Sequence, residues 1–188
     1  MIKIGITGSL ASGKTTASKI ISFRRGPLFS ADKAVKELYK KKYFKSLVSK
    51  RFKIKNNSNL KRTLKKLILK NKDNIKKLER IIHPLVRKKM KNFTSQNKNK
   101  KLLFYEIPLL IESKLMKHFN SIVFIKAKKQ LRLKRFLSKN RDKKLFDLLN
   151  NKQMSDKKKI KFCDHVVVNE KNLNILKMNL LAIISKYE

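Results

Sequence analysis

The sequence is poor in several residues that mark particular classes of protein. Its 188 residues include one cysteine, Cys163, no tryptophan and four glycines. A single cysteine cannot form an internal disulfide, and no CxxC or HxxxH pair is present to hold zinc. No apolar run approaches the roughly 18 residues of a membrane-spanning helix, and the first residues lack the basic-then-apolar pattern of a signal peptide. We therefore expect a soluble protein of the reducing cytoplasm that does not contact a membrane.

Acidic residues are scarce as well. The chain has 12 Asp and Glu against 51 Lys and Arg, which gives a formal net charge of +39. The lysines are dispersed in doublets and triplets and are accompanied by 16 Asn, a pairing typical of a genome rich in A and T. We expect such a surface to attract polyanions non-specifically at low salt, without a specific nucleic-acid partner. Each carboxylate on this background has a raised chance of a specific role, and five lie at informative positions: Asp32, Glu79, Glu106, Glu112 and Asp164.

One motif near the amino terminus predicts a nucleotide site. Residues 8–15, GSLASGKT, fit the phosphate-binding pattern G-x-x-x-x-G-K-[ST] between an apolar strand and a helix. Glycines in such a loop let backbone N–H groups turn inward around a phosphate, and the following helix start adds favourable partial charge. Lys14 would reach the β- and γ-phosphates, and the Thr15 hydroxyl would bind Mg²⁺. We therefore predict a nucleoside triphosphate site.

Apolar runs and helical spacing alternate along the rest of the chain. Short strands are predicted at residues 2–6, 28–30, 102–107, 122–125 and 166–168, and helices at 14–23, 130–141 and 173–184. Residues 33–99 show helical spacing almost throughout, which indicates an inserted helical region. The alternation predicts an α/β fold, a doubly wound parallel sheet of the P-loop NTPase type with right-handed crossovers.

Carboxylates follow two of the predicted strands. Asp32 lies just after strand 28–30, where open α/β sheets place ligands, so it can accept a proton from a substrate hydroxyl; alternatively, it caps the helix that starts at Lys33. Glu106 could orient the water shell of Mg²⁺ or cap the next helix. Glu112 would lie four residues into that helix and would anchor the helix or the substrate region.

Two predicted helical segments contain further candidates. His83-Pro84 interrupts an apolar stripe, so we expect a kink or a new helix start there. A lone histidine such as His83 is most often structural. The helix predicted over residues 130–141 contains several basic residues that either clamp phosphates or belong to the general basic background: Arg132, Arg135, Lys139 and Arg141.

Taken together, these motifs resemble the dephospho-coenzyme A kinase family over nearly the whole chain. The resemblance rests on GITGSLASGKTT at residues 5–16, on Gly-Pro-x-x-x-Ala-Asp at 26–32 and on the segment around Arg62. It continues in Leu-Glu-x-Ile-Ile-His-Pro-Leu-Val at 78–86 and in Pro-Leu-Leu-x-Glu at 108–112, with Gln153, Asp164 and Asn169 downstream. The HPLV and PLLxE segments are distinctive when they follow a phosphate-binding loop in this order.

The resemblance implies a specific reaction and layout. A kinase of this family would use ATP and Mg²⁺ to phosphorylate the ribose 3′-hydroxyl of dephospho-CoA, which gives coenzyme A and ADP in the last step of coenzyme A synthesis. It would be a single P-loop kinase domain, with a core at 1–32 and 100–188, a helical CoA-binding insertion at about 33–99 and a lid at about 130–145.

The resemblance also implies roles for individual residues. The catalytic residues would be the base Asp32, with Lys14 and Arg135. The residues that bind ATP would be Gly8, Ala11, Ser12, Gly13, Lys14, Thr15, Thr16 and Arg141, and Thr15 would also bind the metal. The residues that bind dephospho-CoA would be Arg62, His83, Pro84, Arg87 and Glu112.

The chain departs from the family pattern at a few positions. Ser30 replaces the first Asp of the family's Asp-Ala-Asp, which removes one carboxylate and leaves Asp32. The family's lid usually has two arginines four residues apart, whereas here Arg135 is followed by Lys139 and then by Arg141. None of these departures removes a group that phosphoryl transfer needs.

Two other functions are compatible with parts of the pattern. A different small-molecule P-loop kinase, such as a nucleoside or shikimate kinase, would share the loop, although HPLV and PLLxE argue against it. A nucleic-acid-binding ATPase is favoured by the charge alone, and it would hydrolyse ATP in response to RNA or DNA without dephospho-CoA.

Overall fold

The computed structural model describes residues 1–54, 59–71, 73–140 and 142–188, and the strands and helices below lie within these ranges. The strands are β1 (Ile2–Gly8), β2 (Leu28–Ser30), β3 (Leu102–Glu106), β4 (Ser121–Lys126) and β5 (His165–Val168). The helices are α1 (Lys14–Ser22), α2 (Ala31–Leu38), α3 (Lys42–Phe52), α4 (Leu60–Lys70), α5 (Asp73–Gln96), α6 (Lys129–Leu137), α7 (Lys143–Lys152), α8 (Asp156–Ile160) and α9 (Leu173–Ile184).

The strands form one parallel sheet in the order β2-β3-β1-β4-β5. The first strand in sequence therefore lies at the centre, with later strands added on both sides, which confirms the predicted doubly wound α/β fold. In the register of the sheet, Glu106 at the end of β3 pairs with Ile6 of β1 on one side and with Ser30 of β2 on the other. The carboxyl ends of these strands consequently meet at one edge.

The core explains why the strands are almost entirely apolar. Parallel strands are covered on both faces, so alternate residues cannot be polar. On one face, α1 and α9 pack together against fully buried strand residues, among them Ile4, Phe104 and Val123. On β1, a Cβ atom added to Gly5 would approach Leu110 and the Phe119 ring, so glycine allows close packing there.

The chain divides into two compact units. One contains residues 1–30 and 96–188 and includes the sheet, and the other contains residues 31–95 and is helical. The helical unit has its own core, formed by Leu38, Phe44, Val48, Leu60 and Leu64, against which the apolar residues of α5 pack. On the surface of that unit, Lys89 lies 2.7 Å from Glu37, and its hydrogen bond and charge lower the pKa of the Glu37 carboxyl.

Two local predictions for the helices differ from the structure, one of them in part. The helix α5 is continuous through Pro84, so no new helix starts there, and the kink that the sequence offered as the alternative stays a prediction. Proline removes one backbone hydrogen bond, but Ile82 before it and Leu85 after it pack against the same core and hold the helix together. Residues 108–114 form successive turns instead of a helix. Lys114 takes a left-handed conformation, through which a right-handed helix cannot continue, and its N–H donates to the Ile111 carbonyl three residues back.

The region between β4 and β5 contains more structure than the sequence indicated. The predicted helix over 130–141 ends at Leu137, and α7 and α8 were not predicted. Within the described part of the chain, no helix is both long enough and apolar enough to span a membrane.

Candidate functional site

The loop between β1 and α1 has the backbone of a phosphate cradle. Gly8, Ala11 and Gly13 have φ angles of 150°, 58° and 95°. A Cβ atom on Gly13 would overlap the Asn169 side-chain nitrogen, so both the conformation and the space require glycine. Gly13 precedes α1 without a side-chain cap, which leaves the first N–H groups of the helix suited to an anion.

Lys14 and Ser12 are buried inside this loop. The Lys14 ammonium donates a hydrogen bond to the Ser9 carbonyl at 2.8 Å, which folds the side chain back across the loop. The Ser12 hydroxyl is buried and has no hydrogen-bond partner within the described residues. A buried hydroxyl without a partner is costly, and a phosphate oxygen in the loop would supply the missing partner.

Thr15 and Glu106 form the clearest candidate for a metal site. The Thr15 hydroxyl donates to the Glu106 carboxylate at 2.5 Å, and Glu106 is only 1% exposed. Oxygen ligands of this kind suit Mg²⁺, which takes one or two protein ligands together with water and substrate phosphates. No cluster of three or more His, Cys, Asp or Glu side chains occurs in the described ranges. The predicted residue Thr15 therefore lies beside a suitable second oxygen donor.

Arg135 and Asn169 support the carboxyl-terminal half of the loop. The Arg135 guanidinium, in the last turn of α6, donates to the carbonyls of Ser12 at 3.4 Å and Asn169 at 3.1 Å. The Asn169 side chain, just after β5, donates to the same Ser12 carbonyl at 2.8 Å. The structure thus places the predicted residue Arg135 against the loop, fixed by backbone carbonyls.

Arg132 supports the first half of the loop from the same helix. Its guanidinium donates to the Leu10 carbonyl at 3.2 Å and to the Asn150 side chain at 2.8 Å, and it lies 5.9 Å from the Phe146 ring centroid. Burial lowers the pKa of the Arg132 guanidinium, and the Asp156 charge opposes that shift. Arg132 is therefore part of the architecture of the loop and does not belong to the solvated basic background.

Residues of the α7–α8 region contact the loop as well. The Ser9 hydroxyl donates to the Asp156 carboxylate, and the Leu10 N–H donates to the Gln153 side chain at 3.1 Å. Next to them is a polar cavity of about 330 Å³, lined in part by Ser9, Arg132, Asn150, Gln153 and Asp156. The role of Asp156 was not predicted from the sequence. Asp156 is one of only 12 acidic residues, so the scarcity of acids pointed to it as much as to the five carboxylates singled out above.

Glu112 has a partner that the sequence did not indicate. Its carboxylate lies 2.8 Å from the ammonium of Lys159, which is completely buried, and also accepts from the Met154 N–H at 3.2 Å. Its predicted role in binding the substrate remains a prediction.

Most of the other predicted residues lie in the helical unit, residues 31–95. Asp32 is the second residue of α2, which begins at Ala31, so it lies in the first turn and not at the cap position. Arg62 is exposed on α4, and α5 contains His83, Pro84 and Arg87, with His83 and Arg87 one turn apart. These assignments remain predictions. Thr16 is exposed at the start of α1, and Arg141 lies outside the described residues.

Comparison with known proteins decides between the candidate functions. A family model described as dephospho-CoA kinase matches residues 2–174. The chain belongs to the dephospho-CoA kinase family. The dephospho-CoA kinase of Bartonella quintana is 34% identical over 186 residues, with 96% of this chain and 95% of that protein covered. The dephospho-CoA kinase of Fusobacterium nucleatum is 32% identical over 181 residues, with 92% of each covered.

Solved structures agree with this membership. The Campylobacter jejuni dephospho-CoA kinase is 25% identical, with a TM-score of 0.67, 98% of this chain and 96% of that chain covered. A Thermus thermophilus protein has a TM-score of 0.82 at 24% identity over 100% of this chain and 98% of the other, and that likeness shows the fold alone. The family resemblance and kinase activity inferred from the sequence are therefore confirmed.

Proposed function

We propose that this kinase transfers the γ-phosphoryl group of ATP to the ribose 3′-hydroxyl of dephospho-CoA, giving coenzyme A and ADP. The observation that carries the proposal is the phosphate loop with buried Lys14 and the Thr15–Glu106 pair, in a chain that belongs to the dephospho-CoA kinase family. In this reaction a bond forms between the 3′-oxygen and the γ-phosphorus, and the bond from that phosphorus to the bridging oxygen of ADP breaks.

The loop would bind and orient the triphosphate. Phosphoryl transfer depends on positioning and on neutralising charge more than on covalent help from the protein. Lys14 is 8% exposed and already lies across the loop, so its ammonium would exchange the Ser9 carbonyl for phosphate oxygens. The Ser12 hydroxyl, buried without a partner among the described residues, would donate to another phosphate oxygen. The loop thus contributes donors that do not have to be assembled when ATP arrives.

Thr15 and Glu106 would hold Mg²⁺, Thr15 through its hydroxyl and Glu106 directly or through water. Support comes from the 2.5 Å distance between their oxygens and from the place of Glu106 at the end of a core strand. The ion, when bound, neutralises charge on the β- and γ-phosphates. The Thr15 proton now directed at Glu106 would turn away, which frees both oxygens toward the cation.

Asp32 would take the proton of the 3′-hydroxyl. It follows Ser30, the last residue of β2, by two positions, and Ser30 pairs in the sheet with Glu106. Its place in the first turn of α2 favours a negative charge there, because the amino-terminal end of a helix has positive partial charge. Arg135 is the lid arginine of this proposal, within the lid proposed at about residues 130–145 of the 1–188 domain.

The helical insertion would bind the acceptor. Arg62, His83, Pro84 and Arg87 lie in the helical unit, and arginines there suit the phosphates of dephospho-CoA. The proposal includes a cytoplasmic location, where ATP and Mg²⁺ are available, and no specific nucleic-acid partner.

A coupled assay of ADP release tests the proposal. With ATP and Mg²⁺ present, ADP should form on addition of dephospho-CoA and stay near background with shikimate, deoxyadenosine or no acceptor. Transfer to shikimate or a nucleoside at a comparable rate would contradict the assignment. RNA-stimulated release without dephospho-CoA would favour the ATPase alternative instead.

A further inference from the structure

Lys159 is an unusual lysine in this chain. Of the 42 lysines in the sequence, only Lys14 and Lys159 are buried within the described ranges, at 8% and 0% exposed. Removing an ammonium from water is costly unless charged and hydrogen-bonding partners replace the solvent. Lys14 is explained by the phosphate loop, whereas nothing in the proposed chemistry yet requires Lys159.

The partners of Lys159 come from two other segments. Its ammonium lies 2.8 Å from the Glu112 carboxylate, in the turns after β3, and 3.4 Å from the Gln153 side-chain oxygen, between α7 and α8. The same Glu112 oxygen accepts from the Met154 N–H at 3.2 Å. Glu112 therefore holds both the lysine and the backbone next to Gln153.

Gln153 connects this buried pair to the phosphate loop. Its side-chain oxygen accepts from the Leu10 N–H at 3.1 Å as well as from Lys159. An ammonium can only donate hydrogen bonds, so it holds the amide with its oxygen inward, which is also the orientation that the Leu10 N–H requires. With the amide reversed, its NH₂ group would face two donors. Lys159 thus selects the amide orientation that supports the loop.

We propose that Lys159 is a positioning residue for nucleotide binding, which acts through Gln153 on the Leu10 peptide of the phosphate loop. The Leu10 N–H is held by Gln153 and the Leu10 carbonyl by Arg132, so the peptide groups before and after the Leu10 Cα are both held in place. The residues that follow Leu10 cradle the phosphates, and their backbone is therefore held in position at its amino-terminal side. The inference rests on the proposed use of ATP at this loop.

Equilibrium binding of a non-hydrolysable ATP analogue with Mg²⁺ tests this inference. Lys159→Met and Gln153→Leu should each weaken binding about tenfold, the equivalent of losing one well-placed hydrogen bond. Because both substitutions disturb the same contact between Gln153 and the Leu10 N–H, the Lys159→Met/Gln153→Leu double variant should bind the analogue within about twofold of whichever single variant binds it more weakly. Lys158→Met, at an exposed neighbour on the same helix, is the matched control and should bind like the parental chain.

Steady-state kinetics separate positioning from a general structural effect. The KM for ATP should rise in both variants, and the KM for dephospho-CoA should stay within about twofold of the parental value. If Lys159→Met does not fold because Glu112 is left unpaired, Lys159→Met/Glu112→Leu removes both charges of the ion pair and takes its place in the ATP-analogue binding measurement alone, since Glu112 is itself predicted to bind dephospho-CoA. Gln153→Leu keeps the ion pair and tests the loop contact by itself.

Several results would overturn the inference. Parental affinity in Gln153→Leu would show that the Leu10 contact does not matter, and a double variant weakened about a hundredfold would show two independent effects. Failure of the parental chain to bind the analogue would overturn this inference together with the proposed function. Binding that responds as predicted, in a chain that does not phosphorylate dephospho-CoA, would contradict the proposed function alone.

Discussion

The contact between Gly13 and Asn169 offers a sharp test of how the phosphate loop is held. Gly13 has a φ of 95°, and a Cβ atom there would overlap the Asn169 side-chain nitrogen. Asn169 is 8% exposed and donates at 2.8 Å to the Ser12 carbonyl, one residue before Gly13. Gly13→Ala therefore imposes two separable penalties: a strained backbone and the displacement of Asn169.

The two penalties can be estimated separately. A residue other than glycine at this positive φ costs about 1–2 kcal/mol. Displacing Asn169 removes its bond to Ser12, which contributes about 1 kcal/mol. Gly13→Ala should therefore lower the free energy of unfolding by about 2–3 kcal/mol, and it should weaken ATP binding by at least about tenfold because the loop moves.

Urea unfolding of three variants tests this estimate. Asn169→Ala alone should cost about 1 kcal/mol. Gly13→Ala/Asn169→Ala should cost little more than Gly13→Ala, because Gly13→Ala already breaks the bond from Asn169 to Ser12. Removing the Asn169 amide creates no new clash, since the new Cβ then lies 3.9 Å from an Arg135 nitrogen. The double variant should thus be about 1 kcal/mol less destabilised than the sum of the single variants. Full additivity would refute the contact and the reasoning built on it.

Three further predictions concern Lys14, Asp32 and Cys163. Lys14→Ala should abolish phosphoryl transfer, and the loss of the Lys14 hydrogen bond to the Ser9 carbonyl should lower the free energy of unfolding by only about 1 kcal/mol; full activity in a folded variant would contradict the loop assignment. Asp32→Asn should lower kcat by about 10²- to 10⁴-fold with ATP affinity little changed, and near-parental turnover, with Glu106→Gln inactive, would show that the base is elsewhere. Burial, then the Asp164 charge, raises the pKa of the Cys163 thiol to about 12, so the thiol stays protonated at neutral pH. Iodoacetamide at about pH 8 should then modify Cys163 roughly 10³-fold more slowly than free cysteine, and a rate near that of free cysteine would contradict the raised pKa of this half-buried thiol.

The sequence predicted the strands and the phosphate loop, whose structures depend on adjacent residues. The observed strands begin and end within two residues of the predicted bounds, and the loop motif lies between β1 and α1 as expected. The strand and loop predictions succeeded because a run of adjacent apolar residues indicates a buried strand and a short glycine-containing motif indicates the turn.

The predictions that failed involve contacts between distant residues. A new helix start at Pro84 was one of the two outcomes that the sequence indicated, but residues on both sides of Pro84 pack against the same core, and α5 continues through it. Gln153 and Asp156 reach the loop from more than a hundred positions along the chain, and no local spacing indicates such a contact. Lys159 could not be distinguished from the surface lysines by sequence, because only its burial sets it apart.

The most direct test of the proposed function follows the transferred phosphate itself. With ATP labelled in its γ-phosphate, Mg²⁺ and dephospho-CoA, the label should appear in coenzyme A in a one-to-one ratio with ADP, and a 3′-nucleotidase, which hydrolyses 3′-phosphate monoesters, should release all of it. Label that appears as inorganic phosphate at the same rate without dephospho-CoA, or that resists the 3′-nucleotidase, would contradict transfer to the 3′-hydroxyl.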